Sequence, residues 1–124
     1  MASKIFNKKL TAGQGRVDID GSFAPAGTGA VTSVNGAGFS VARTGVGVFE
    51  ITFVDKYVEL VAANATVQLN ALADTDAVIG PWTASTKKLQ IFVKTAGVAA
   101  DIAANANNRI HFQVTFRNSK LATR

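Results

Sequence analysis

Residues 109–118 constrain the fold more than any other stretch of this chain. Ile110, Phe112, Val114 and Phe116 alternate there with His111, Gln113, Thr115 and Arg117. A period of two marks an extended strand with one wet face and one buried face. A one-residue slip would turn four large apolar groups to water, so burial fixes the register. A chain built around such a strand must supply a second apolar layer to cover it.

The same period recurs upstream. Phe39–Arg43 and Val48–Val54 both alternate, and Thr44-Gly45-Val46-Gly47 between them is a turn, so 39–54 is predicted to be a β-hairpin. Phe49, Ile51 and Phe53 share its inner face, with Glu50 and Thr52 outside. Arg16–Asp20, Ala30–Val34, Tyr57–Ala62, Thr66–Leu69, Ala77–Ile79 and Lys88–Thr95 are further strand candidates. Gly21–Gly29 is expected to be a loop, Asn35-Gly36 and Asn64 to turn the chain, and Gly80-Pro81 to stop a strand and leave Trp82 in a loop. Ala96–Asn108, rich in alanine and asparagine, has room for one helical turn anchored by Val98 and Ile102. About eight short strands without αβ alternation point to an all-β, two-sheet antiparallel β-sandwich, with jelly-roll order favoured over immunoglobulin order. The expected organisation is a basic N-terminal arm over 1–15, a sandwich over 16–118 and a tail over 119–124.

Composition narrows the chemistry. There is no cysteine, which removes disulfides and thiolate metal ligands. The N-terminus lacks an apolar signal core, and no apolar run approaches the roughly 20 residues that span a bilayer, so a soluble chain made in the cytosol is expected. Charge is uneven. Residues 1–16 hold Lys4, Lys8, Lys9 and Arg16, and residues 109–124 hold Arg109, Arg117, Lys120 and Arg124, with no acid in either stretch. Bases at two ends of a near-neutral body differ from the patch across a fold that nucleic-acid binding requires. They suit either solvated ends kept soluble by lysine or terminal arms lying on an acidic neighbour, with Ile5, Phe6 and Leu10 as apolar anchors.

Catalytic constellations are sparse. His111, the single histidine, sits mid-strand without a carboxylate near it in sequence. One histidine and no cysteine make a three-ligand zinc site unexpected. Asp18/Asp20 and Asp74/Asp76 are the acid pairs; on a strand, residues two apart face the same way and can share a cation or divide acid–base work, or simply face solvent. The glycine-rich stretches fall between β-runs without the lysine and helix of a phosphate loop, and read as turns. Asn64-Ala65-Thr66 is a glycosylation sequon that only a secretory route would use. Trp82 either plugs the end of the sandwich or anchors a partner. No enzymatic activity, cofactor or metal is expected.

The run Gly38-Phe39-Ser40-Val41-Ala42-Arg43-Thr44-Gly45-Val46-Gly47-Val48-Phe49-Glu50-Ile51-Thr52-Phe53 resembles a pattern of tailed-bacteriophage virion proteins, in which one strand ends at Arg-Thr-Gly and glycine plus an aromatic residue opens the next. The closing Phe112-Gln113-Val114-Thr115-Phe116-Arg117-Asn118-Ser119 is similar to the final strand of the same small β-sandwich proteins. The resemblance covers about residues 30–118. It implies a capsid decoration or cement protein at the virion surface, assembling as a homo-oligomer (a trimer) on the major capsid protein, with neither membrane nor nucleic acid as partner. Lys4, Lys8, Lys9, Arg16, Arg117, Lys120 and Arg124 are then the residues expected to make electrostatic contact. The alternative is a receptor- or glycan-binding fibre or knob module that uses loop residues such as Trp82 and Asn35.

Overall fold

The structure, a computed structural model, describes residues 16–117. Among the described residues there are nine strands and no helix: β1 (Arg16–Ala26), β2 (Gly29–Asn35), β3 (Phe39–Gly45), β4 (Val48–Phe53), β5 (Glu59–Gln68), β6 (Thr75–Thr83), β7 (Lys88–Thr95), β8 (Val98–Ala99) and β9 (Arg109–Arg117). They form two antiparallel sheets, ordered β2-β1-β9-β5 and β3-β4-β7-β6, with β8 paired to the end of β7. The chain is a β-sandwich. Its first strand pairs with its last, from Arg16 opposite Arg117 to Phe23 opposite Ile110, and β4 pairs with β7. This nesting of early strands with late ones is jelly-roll-like, and β5 and β6 flank β9 and β7 in their respective sheets.

The core follows the alternation. Ile110, Phe112, Val114 and Phe116 of β9 face Phe49, Ile51 and Phe53 of β4 and Leu89, Ile91 and Val93 of β7, all buried. Burying a side chain of this size contributes about 1.5–3 kcal/mol. The Phe116 ring gathers the aromatic end of the core. Tyr57 stacks on it at 4.4 Å, and Trp82 and Phe53 approach it at 4.8 and 4.9 Å.

Four local expectations are corrected. Gly21–Gly29 is not a loop: β1 continues to Ala26 because Phe23 and Pro25 bury inward, and Pro25 lies beyond the last β1–β9 pair, where its missing N–H breaks no ladder. Asn64 does not turn the chain. It faces outward from one uninterrupted strand, β5, whose single irregularity lies between Leu60 and Ala62. Gly80-Pro81 does not stop β6, which passes through it with a register shift between Ile79 and Trp82. β6 is an edge strand, where a proline is tolerated. Trp82 is therefore a strand residue packed on Phe53 and Phe116, not a loop residue.

Ala96–Asn108 holds no helical turn either. A tight turn at Ala96-Gly97 leads into β8, and Val98 is 68% exposed while Ile102 is buried. The buried amide of Asn108 organises the connection into β9, accepting from the Asn70 N–H at 2.8 Å and donating to the Ala103 carbonyl at 2.9 Å.

Candidate binding site

The β1–β9 ladder makes Arg16 and Arg117 Cα partners, so the chain enters and leaves the sandwich side by side at one pole. Arg117 forms an ion pair with Glu59 of β5, its partner on the other side. The expected contact residues Lys4, Ile5, Phe6, Lys8, Lys9, Leu10, Lys120 and Arg124 lie outside the described residues. The sequence has 13 bases and 8 acids, and five of those bases (Lys4, Lys8, Lys9, Lys120, Arg124) but no acid lie outside 16–117. The described body thus holds eight of each and is formally neutral, and the whole net charge of +5 belongs to segments joined at the Arg16–Arg117 pole.

The outer face of the β2-β1-β9-β5 sheet carries the polar half of each alternating strand. Register places Asn64, Gln113 and Asp20 in one cross-strand row and Thr66, His111, Ser22 and Asn35 in the next. These seven residues line an open trough of about 530 Å³. Ser22 and His111 of the second row are bonded to the row beyond it, and the row on the other side is bonded internally. At one end Arg109 donates to Ser22 Oγ at 2.9 Å and to the Ser33 carbonyl at 2.6 Å, while His111 Nε2 donates to Gln68 Oε1 at 2.8 Å. At the other end the Thr115 hydroxyl donates to Asp18 Oδ1 at 2.7 Å. The other side chains of the two rows, Asp20, Asn35, Asn64, Thr66 and Gln113, take no hydrogen-bond partner among the described residues.

The chain matches no family model, no curated protein and no solved structure.

The remaining sequence candidates separate. Asp18 and Asp20 do share a face, but Asp18 is bonded to Thr115, and no group of three or more His, Cys, Asp or Glu side chains among the described residues is placed to hold a metal ion. Asp74 precedes β6 and receives the Ala96 N–H on its backbone carbonyl, whereas Asp76 is an exposed strand residue opposite Lys94. His111 is bonded to an amide, not a carboxylate.

The Arg43-Thr44-Gly45-Val46-Gly47 stretch has a structural role that sequence reasoning missed, because its partner Asp101 lies in the region expected to be helical. Arg43 Nε and Nη2 donate to the two oxygens of Asp101 at 2.9 and 2.8 Å, and the Gly47 N–H donates to Oδ1 at 3.0 Å. One carboxylate thus ties β3 and the β3–β4 turn to the β8–β9 connection. The hydrogen bond from Arg43, helped by the Gly47 N–H, holds the Asp101 carboxyl below the ordinary carboxylate range although partial burial opposes it. A lone aspartate among alanines and asparagines was the available signal.

Proposed function

We propose that this chain is a virion structural protein, a capsid decoration or cement protein that works by adhesion through its basic pole. The supporting observation is the placement of charge: a neutral body, with five bases and no acid in the segments attached where β1 begins and β9 ends. Basic segments joined to a neutral body steer association with an acidic surface. An exposed ion pair contributes less than about 1 kcal/mol, so such contacts hold only when several act together on many symmetric copies. The sequence pattern over Gly38–Phe53 and Phe112–Ser119 supports the phage assignment, with the acidic outer face of the major capsid protein as partner and self-association between copies.

The test is occupancy. Capsids assembled with the full chain are compared with capsids assembled with a chain lacking residues 2–10, copy number being counted by imaging and folding being checked by circular dichroism. Loss of occupancy by a folded truncation is expected, as is weakening of full-chain binding with added salt, since screening at 0.1 M acts beyond about 10 Å. Unchanged occupancy refutes the arm-mediated mode.

A further inference from the structure

We propose that the trough on the outer face of the β2-β1-β9-β5 sheet binds a neutral saccharide, with Asp20, Asn64 and Gln113 as its principal hydrogen-bonding residues. The inference begins with a local conflict. Asparagine and aspartate are depleted in strands because they compete with the ladder for hydrogen bonds. Yet Asn64 sits within β5 and Asp20 within β1, and neither side chain has a partner among the described residues. Both side chains are exposed, so water meets their donors and acceptors in the free chain and a ligand's hydroxyls can take its place.

The surroundings define the ligand. Neighbouring strands stand about 4.8 Å apart and successive same-face residues about 7 Å apart, so the two rows make a grid that a pyranose ring or disaccharide covers. Side-chain amides offer donor and acceptor together, as vicinal hydroxyls require, and the Asp20 carboxylate accepts from two hydroxyls. Asp20 is the one carboxylate that lines the trough, and no lysine or arginine lines it. Arg109 stands in the row beyond, donating to Ser22 and Ser33. A phosphate or polyanion would meet a carboxylate and no cation in the lining, and a cation would find a single carboxylate. An uncharged, polyhydroxylated ligand remains. The frame is preorganised: Arg109 ties β9 to β1 and β2, His111 is held by Gln68, and Asp18 by Thr115, so binding need not order the sheet. The proposal is independent of the capsid assignment.

The experiment is a titration of the full ¹⁵N-labelled chain with galactose, glucose, N-acetylglucosamine, their β-linked disaccharides, and sialic acid as an anionic control. At least one neutral sugar is expected to produce saturable amide shifts centred on residues 20, 22, 64, 66, 111 and 113. Asn64→Ala and Gln113→Ala should each weaken that binding about tenfold, a typical effect of losing one hydrogen bond. Asp20→Asn, which keeps the shape and the fold, should weaken it too, and Gln90→Ala on the opposite sheet should not. Absence of saturable shifts with every neutral sugar overturns the proposal. So does binding restricted to sialic acid, or binding that all three trough variants leave intact.

Discussion

Replacing Gly47 with alanine tests whether close backbone approach, and not turn preference alone, fixes the β3–β4 hairpin. Gly47 has φ +66, and its N–H and C=O are both engaged, the first with Asp101 and the second with the Val93 N–H at 2.7 Å. A Cβ there would overlap the Val93 carbonyl oxygen and lie 2.9 Å from Ala100 N and 3.0 Å from Ala100 O. Two other glycines separate the contributions. Gly27 has φ +59 with nothing within 4 Å of an added Cβ, and Gly45 has open space and no positive φ. Gly27→Ala should therefore cost the left-handed conformation alone, about 1–2 kcal/mol. Gly45→Ala should be neutral or stabilising by up to about 1 kcal/mol through the unfolded chain. Gly47→Ala adds an overpacking cost of about 1–3 kcal/mol, for a total of about 2–5 kcal/mol. Urea unfolding of the three variants, with m-values compared to confirm two-state behaviour, gives the differences directly. If Gly47→Ala proves no less stable than Gly27→Ala, the close-packing argument is wrong.

Two further outcomes rest on the same clamp and on the aromatic core. The Asp101 carboxyl titrates below its unfolded value, so its stabilising contribution is complete above the unfolded pKa and is lost as pH falls through the folded one. Urea unfolding midpoints of the parent and Asp101→Asn, measured at a series of pH values, should converge at low pH and separate in favour of the parent towards neutrality; a constant gap would refute the role of ionisation. Phe116→Ala removes the ring that Tyr57, Trp82 and Phe53 share, and should cost about 3–5 kcal/mol by thermal or urea unfolding. The single tryptophan should shift its emission to longer wavelength in that variant, and unaltered emission would count against the Trp82–Phe116 packing.

The alternating segments are legible because each one carries its own register. Residues 39–54, 88–95 and 109–117 need nothing beyond period-two patterning, and their inward apolar residues make up most of the buried core. Sequence and structure part where local preference opposes tertiary placement. Pro25 and Pro81 read as breaks, but one lies beyond the β9 ladder and the other on an edge strand, positions that sequence cannot reveal. Asn64 reads as a turn because asparagine usually is one. Its place in β5, opposite Gln113, is decided by burial of Ala63 and Ala65 against the core, a weak signal in so small a side chain. The Arg43–Asp101 clamp spans 58 residues and leaves no periodic trace.

Arg109 shows how pairing redistributes the charge. By sequence it belongs with the basic end 109–124. In the sandwich it lies at the opposite end of β9 from Arg117, about 27 Å away at strand rise, and is bonded to Ser22 and Ser33. Its charge takes no part in the pole. The pole and the trough are thus separate in space, the first at the strand ends and the second across the middle of one sheet face. A partner seated on the pole leaves that face open, so the two proposed contacts should be energetically independent. Deleting residues 2–10 is then expected to leave sugar affinity within about twofold, while Asn64→Ala should leave capsid occupancy unchanged. Coupling of either variant to the other readout would mean that one surface serves both partners, and the charge-pole argument for docking would have to be given up.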